Sequence, residues 1–508
     1  MNRRTFLRST TALALPIALN GFRVNALARS SALVRSLLLT EAPLADRALV
    51  ILNIVGGNDG LNTVIPLDQY AAYSALRSNI AIPQSSVLGL AGNDATGLHP
   101  ALTGLRDLHD DGKLTIIHSV GYPSPDLSHQ RASDIWMTGV ASSQYADTGW
   151  AGRYLDARFP GYPENYPNAT MGDPLALQIG FLTSTTLLGP TQSMAVSIND
   201  PTSFYTLVGS PTNVPPDYLP CCDAGDKIAH IRQQQALAVG YAGQIKTAFD
   251  AGRTLATYPT AGQNALADQL KIVARLIHGG LRTKVYFVSI GGFDTHSAQV
   301  DASDSTLGTH ATLLSRVSAA IKVFQDDLGL QGVADKVVGM TFSEFGRRAN
   351  SNNSKGTDHG MAAPMFVFGQ PVRHQTVGVN PDLSSLIVGS DGSRNIPFQI
   401  DFRRIYTDLL NDWFGAGIAQ TNTLLFGAST TALDFPTVSL FSDTVETLKT
   451  GNWADASVWS VGRKPLASEY VRVNAGHTLT VEAPCTVRNL RVDGTLQYTG
   501  PFAVRVTG

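Results

Sequence analysis

Cysteine is nearly absent: the chain has three among 508 residues, two of them adjacent (Cys221 and Cys222) and the third far away at Cys485. That spacing excludes a disulfide framework, because neighbouring cysteines bridge only through a strained ring, and it assigns these thiols no catalytic role. An excess of one charge is also missing. Against 38 Lys and Arg stand 40 Asp and Glu, a formal net charge of −2, which implies no bulk attraction to nucleic acid or to an anionic membrane. No stretch approaches the roughly 20 uninterrupted apolar residues of a stable membrane span. The 47 Gly and 26 Pro follow no short period, so collagen-like and low-complexity architectures are excluded. What remains, 43% hydrophobic and 15% charged residues, is the composition of a globular chain able to bury a large core.

The amino terminus carries three coincident features. Arg3-Arg4-Thr5-Phe6-Leu7-Arg8 precedes an apolar run from Thr11 to Leu19, and Ala26-Leu27-Ala28 follows as a small-x-small cleavage pattern. Together they predict a twin-arginine export signal over residues 1–28, recognised by the twin-arginine export machinery, and a mature protein that is periplasmic or secreted. That route carries folded proteins, which suits a chain that must load a metal before crossing.

Five apolar runs predict buried strands: Ala48 to Val55, Leu114 to Val120, Lys284 to Ile290, Lys336 to Phe342 and Met365 to Phe368. Between them Ala101 to His109, Asp268 to His278 and Ala311 to Leu328 show three- and four-residue apolar spacing, the pattern of amphipathic helices. Alternating strands and helices predict an α/β fold, a mostly parallel sheet with helices on both faces, over residues 29–447. Residues 201–226, rich in Pro, Gly, Thr and Asp, read as an irregular insertion. From about Gly451 short alternating runs separated by Asn-Ala-Gly and Asp-Gly predict a small all-β module, residues 448–508. Its Trp453 and Trp459, in GNWADASVWS, resemble the opening of right-handed β-helix modules on exported bacterial proteins, and an envelope partner for this module is expected.

In open α/β sheets ligands bind beyond the carboxyl ends of the strands, so polar residues that follow the apolar runs are the candidates. Asp59 follows the first run within GGNDG, and Ser128-His129-Gln130-Arg131 follows the second. Gly291-Gly292-Phe293-Asp294-Thr295-His296 follows the third, with His310 further on. Ser343-Glu344-Phe345-Gly346-Arg347-Arg348 and Gly356-Thr357-Asp358-His359-Gly360 follow the fourth. GGNDG does not match the G-x-G-x-x-G dinucleotide fingerprint, and taken singly Ser128 reads as a helix cap and each histidine as an ordinary one. Their recurrence at strand ends points to one convergent site. Mixed Asp, Glu and His donors suit a divalent metal such as Zn²⁺ or Mn²⁺, one ion or two. Such a set serves metal-assisted displacement, with a serine at a helix start as nucleophile and an arginine beside it, roles that Ser128 and Arg131 fit.

The segments LNIVGGNDGLNTVIP, LHPAL, SHQRASDIW, GWAGRYLD, QLKIVARLIHGG, VSIGGFDTHSAQ, TFSEFGRR and GTDHGMAAPMFVFG resemble, over residues 46 to 430, the bacterial proteins grouped as domain of unknown function 1501. That family is in turn similar to the alkaline phosphatase superfamily, which includes sulfatases and phosphodiesterases. The resemblance implies an alkaline phosphatase-like fold, Asp59 as first metal ligand, Ser128 as nucleophile, and Asp294 with either His296 or His310 on another metal. It further implies Glu344 as the later strand-end carboxylate and His359 as the final histidine. Two departures stand out. Asp294-x-His296 is shorter than the superfamily's usual Asp-x-x-x-His, and Phe345 stands where a ligating histidine would be, leaving Asp358, His129 or His310 to supply the missing donor. No C/S-x-P-x-R signature surrounds Ser128, which disfavours a formylglycine-dependent sulfatase.

The expected function is therefore an exported metal-dependent hydrolase of phosphate or sulfate esters, acting on a small-molecule or polymer-borne ester. The alternative is a non-catalytic exported binding or assembly protein that keeps the fold and attaches through its β tail. A carbohydrate-modifying enzyme built on Asp294 and Glu344 has no specific support.

Overall fold

Seven consecutive apolar and amide side chains, Ala48–Ile54, form strand β1, and all seven are buried. Because alternate residues of a strand face opposite sides, burial at every position means that both faces of the sheet are covered. The same holds for β2 (Leu114–Gly121) and for β6 (Val337–Phe342). The sheet is completed by β3 (Ala176–Ile179), β4 (Ala195–Ile198), β5 (Val285–Ile290), β7 (Ala363–Phe368), β8 (Gln375–Val377) and β9 (Ile400–Asp401). Its order is β8-β2-β7-β6-β1-β5-β3-β4, with β9 also pairing β2. Every pairing is parallel except those made by β7, which runs antiparallel to both β6 and β2. The start of β7 therefore lies at the same edge as the carboxyl ends of its neighbours.

The computed structural model describes residues 46–208, 223–373, 375–441, 444–459, 464, 465, 467, 469–474, 476–487, 489–492 and 494–506, together with the strands Pro16–Leu19 and Phe22–Asn25, which pair antiparallel. The remainder of the export-signal segment and Cys221 and Cys222 lie outside the described residues. The chain divides into two units: residues 46–441, and residues 442–508 with 1–45.

The helices of the larger unit include α1 (Thr103–Asp110), α2 (His129–Thr138), α3 (Trp150–Arg158), α4 (Pro201–Val208), α5 (Asp223–Ala251), α6 (Ala265–His278), α7 (Thr309–Gln331) and α8 (Phe402–Thr407). α7 buries Leu313, Leu314, Val317, Ala320, Ile321, Phe324 and Leu328 along one stripe and packs on α1 and α6. Trp136 of α2 stacks on Phe402 of α8 at 4.5 Å between centroids and on Phe342 of β6 at 5.9 Å. The segment expected to be an irregular insertion is helical at its described ends. Pro201 occupies the first turn of α4, where a missing N–H costs nothing, and Asp200 accepts the backbone N–H of Ser203 at 2.7 Å.

The second unit contains three parallel ladders. Thr444–Glu446, Tyr470–Val473 and Asn489–Val492 form one, Gly451–Asn452, Thr478–Val481 and Thr495–Tyr498 another, and Cys485–Val487 with Val504–Val506 the third. Among the described residues no α-helix links consecutive strands of a ladder, and Val445, Val471, Val473, Leu479, Val481, Val487 and Leu490 fill the core of this unit. Trp453 and Trp459 meet edge to face at 5.1 Å in that core, and Trp459 Nε1 donates to the Trp453 carbonyl at 2.9 Å. Cys485 is a free thiol.

Candidate functional site

The turn after β1 sets the site's floor. Gly56 has φ of 122°, and a Cβ there would lie 2.4 Å from the backbone nitrogen of Asp294, so only glycine allows the turns after β1 and β5 to touch. The Arg347 side chain, fully buried, threads between these turns. Its Nε donates to the Gly57 carbonyl at 2.8 Å, Nη1 to Thr357 O at 2.8 Å and Nη2 to Asp294 Oδ1 at 2.6 Å, with Gly56 O also accepting from Nη2. Burial alone would raise the carboxyl of Asp294, but the hydrogen bond and charge of Arg347 outweigh it and hold the group below the usual range.

Three imidazoles surround Asp294. His129, the first residue of α2, places Nε2 3.5 Å from Asp294 Oδ2. His296 Nε2 lies 3.1 Å and His359 Nε2 3.3 Å from Asp294 Oδ1, and these two Nε2 atoms are 2.9 Å apart. One ligand atom from each of His129, Asp294 and His359 falls within 4.8 Å of the others, the spacing of donors around a common cation.

Each ring is fixed from its other nitrogen. His359 Nδ1 lies 2.7 Å from the Leu127 carbonyl, an oxygen that only accepts, so Nδ1 carries the proton. His296 Nδ1 meets Asp358 Oδ1 at 2.9 Å, and His129 Nδ1 meets Glu344 Oε1 at 2.8 Å. Asp358 is burdened by partial burial, but hydrogen bonds from His296 and Asn352 keep it below the usual carboxylate range. Burial and the Arg347 charge lower the pKa of His359, so its ring is neutral at pH 7 with a lone pair on Nε2. Phe345, where the resemblance asks for a ligating histidine, is buried instead under the rings, 4.2 Å from that of His359 and 4.9 Å from that of His129.

The strand order accounts for this convergence. β6, β1 and β5 are adjacent and deliver Glu344, the Gly56–Asp59 turn and Asp294 side by side. His359 pairs with Arg347 across a two-residue antiparallel ladder just before the reversed strand β7. The start of α2 arrives from β2, beyond β7, and Ser128 sits between Leu127, whose carbonyl holds His359, and His129.

Not every expected residue joins this cluster. Asp59 is buried and accepts from Arg77 Nη1 at 2.7 and 3.0 Å and from Gln299 Nε2 at 2.6 Å, so its oxygens are already engaged. His310, the alternative to His296, is buried against Asn58, with Nε2 3.0 Å from Asn58 Oδ1; burial pushes its pKa down to about 4. Glu344 meets the cluster through His129, its Oε1 also accepting from the backbone N–H of Gly56 at 2.8 Å. Arg131 pairs with Asp134, donates to Ser142 O at 3.0 Å and to Gln144 O, and stacks on Tyr145 at 3.8 Å. Ser128 is exposed and caps α2, and its Oγ donates to Asp126 Oδ1 at 2.6 Å.

Sequence reasoning overlooked Arg77 and Gln299 and did not use Arg347. Arg77 donates to Ala349 O at 3.0 Å, Arg348 O at 2.9 Å and Asn62 Oδ1 at 2.9 Å besides Asp59. Gln299 also accepts the hydroxyls of Thr295 at 3.0 Å and Thr357 at 2.8 Å, tying Asp59 to the loops that carry Asp294 and Asp358. The arginine within TFSEFGRR was the visible sign of Arg347; nothing local in the sequence marks Arg77.

Residues 225–416 match the family model described as "Protein of unknown function (DUF1501)". The matched segment contains Asp294, His296, Glu344, Arg347, Asp358 and His359, whereas Asp59, Arg77, Ser128 and His129 precede it. No curated protein matches the chain. Among solved structures it is similar to Ps i-CgsB in complex with k-i-k-neocarrahexaose, with 11% identity, 78% of this chain and 75% of that chain covered, and a TM-score of 0.34. The PsFucS1 sulfatase from Pseudoalteromonas sp. gives 10% identity, 81% and 75% coverage, and a TM-score of 0.34. A protein in the alkaline phosphatase superfamily from Vibrio parahaemolyticus gives 11% identity, 66% and 62% coverage, and a TM-score of 0.30.

Proposed function

We propose that the protein is a metal-dependent hydrolase of phosphate or sulfate esters. The observation that carries this reading is the set of three imidazoles, each with Nδ1 fixed by an oxygen acceptor and Nε2 directed towards Asp294. Such outer hydrogen bonds fix tautomer and orientation in metal-binding histidines, and nitrogen with carboxylate donors suits Zn²⁺ or Mn²⁺. His129, Asp294, His296 and His359 would hold the cation, which when bound supplies positive charge for the oxygens of the group under attack.

The chain's own groups would do the rest. Ser128 is the nucleophile in this reading: its Oγ bonds to phosphorus or sulfur while the bond to the ester oxygen breaks. The Oγ proton passes to Asp126, whose Oδ1 already accepts it at 2.6 Å. The departing alkoxide takes a proton from water or from Asp126, and water then releases the group from Ser128 and restores the hydroxyl. The same Asp-x-Ser/Thr bond occurs at Asp301 with Ser303, Asp304 with Thr306, Asp382 with Ser384 and Asp455 with Ser457, so at Ser128 it is a turn bond before it is a catalytic one. The export-signal pattern of residues 1–28 favours an activity outside the cytoplasm, and the parallel ladders of the tail support its reading as a short β-solenoid, in this proposal the module that attaches to an envelope partner. Among the described residues no helix is long and apolar enough to cross a membrane.

The test is elemental mass spectrometry of the full chain and its His359→Ala variant, alongside turnover of 4-nitrophenyl phosphate and sulfate. Stoichiometric metal and turnover, both lost in the variant, are expected. A metal-free, inactive wild-type protein, even after reloading with Zn²⁺ and Mn²⁺, would instead favour the binding-protein reading.

A further inference from the structure

We infer that this centre takes one divalent cation, with the Arg77 guanidinium filling the place of a second, and that its ester is therefore singly rather than doubly charged. The inference rests on the hydrolase reading and deepens it.

A second cation would need Asp59, the carboxylate that the family resemblance sets at that position. Both Asp59 oxygens lie within 3.0 Å of Arg77 Nη1, and the two side chains are essentially without solvent contact. The guanidinium cannot swing away cheaply: Nε, Nη1 and Nη2 also donate to Ala349 O, Asn62 Oδ1 and Arg348 O. The remaining approach to Asp59 is taken by Gln299 Nε2 at 2.6 Å. Glu344 is already committed to the cluster, its Oε1 to His129 Nδ1 and the Gly56 N–H, with Oε2 3.4 Å from Ser343 Oγ. His310, buried against Asn58, is likewise unavailable. His129, Asp294 and His359 each bring one ligand atom within 4.8 Å of the others, and His296 Nε2 lies 3.1 Å from Asp294 Oδ1 and 2.9 Å from His359 Nε2, so the donors gather about one position.

One cation fixes the charge presented to substrate. The carboxylates joined to the centre are Asp294, Glu344, Asp358 and, through Arg348, Asp391; the guanidiniums are Arg347 and Arg348. Arg131 adds nothing, being neutralised by Asp134. With one divalent cation the carboxylates are balanced and the centre is neutral, whereas a second would leave it doubly positive. Asp126, beside Ser128, adds one negative charge that the amino end of α2 partly offsets. A centre at or slightly below neutrality binds a monoanion, such as a sulfate monoester or a phosphodiester, with less charge imbalance than a phosphate monoester dianion.

The full-length protein would be loaded with excess Mn²⁺, gel-filtered, and assayed for metal by elemental mass spectrometry and by electron paramagnetic resonance. kcat/KM at pH 8 would then be compared for 4-nitrophenyl sulfate and bis(4-nitrophenyl) phosphate against 4-nitrophenyl phosphate. Expected are one equivalent, a spectrum of isolated Mn²⁺, and at least a tenfold preference for one of the two monoanions. An Asp59→Asn variant that folds, by circular dichroism, should retain its equivalent; if it does not fold, the wild-type stoichiometry and spectrum decide. Two equivalents with spin-coupled Mn²⁺, or preference for the dianion, would overturn this inference and leave the hydrolase reading standing. No bound metal and no ester turnover would remove both.

Discussion

The Nε2 atoms of His296 and His359 face each other at 2.9 Å, and both rings carry their proton on the opposite nitrogen. Two imidazoles held this way present their Nε2 atoms to one point, where a single cation can meet both. Asp294, 3.1 and 3.3 Å from the same two atoms, lies where it completes the donor set.

Glu344 acts on this set through His129. Replacing Glu344 by Gln removes the carboxylate that accepts from His129 Nδ1–H, while the side chain keeps its size. Metal affinity should fall roughly 10- to 100-fold, measured by competition with a chromophoric chelator, without loss of the fold. Unchanged affinity would mean that the His129 ring is positioned without its partner.

Arg77 and Asp59 form a buried ion pair, and removing one member leaves an uncompensated charge. Arg77→Met should lower stability by about 3–5 kcal/mol, and Asp59→Leu added to it should recover most of that loss. Urea denaturation of the two variants and wild type checks this; equal midpoints for Arg77→Met and wild type would show that water reaches Asp59.

Acid stability follows from three buried histidines. Burial lowers the pKa of His99 to about 3, of His118 to about 4 and of His310 to about 4. Folded values below the ordinary 6.5 mean that these rings are neutral in the fold and protonate more readily in the unfolded chain. Their contribution, on the order of 3 kcal/mol each, is thus complete above pH 6.5 and is lost as pH falls towards 4. Urea midpoints measured across that window should drop steeply, and less so in His118→Leu, since His118 Nε2 is buried without a hydrogen-bond partner.

The tail has its own core around Trp459. Trp459→Ala removes its packing on Trp453 and should destabilise this unit by about 3–5 kcal/mol. Tryptophan fluorescence during thermal unfolding reports it, and the metal content of the variant should match wild type.

Strands such as Ala48–Ile54 and Leu114–Gly121 were legible because burial on both faces demands an unbroken apolar run, and the ends of Val285–Ile290 and Val337–Phe342 pointed to Asp294, Glu344 and His359. The choice of His296 over His310 was not legible. Both follow the same strand, but His310 opens a long helix and turns into the core, whereas His296 stays in the loop at the sheet edge. Asp59 looked like a ligand for the reason that it follows a strand, and only the fold, which buries Arg77 against it, reveals that its charge is already met. The extent of α4 and α5 was hidden by Pro201, which marks a loop in many contexts and a helix start in this one.

The single reversed strand β7 has a bearing on the order in which the molecule assembles. His129 and His359 meet only after β7 has inserted between β2 and β6, so the donors come from remote parts of the chain and no local fragment presents them together. Ion binding then cannot nucleate folding as it does in small metal-dependent domains. On the proposed reading the sheet would close first, and an ion would act as a late lock whose withdrawal loosens the finished edge without dissolving the core beneath it.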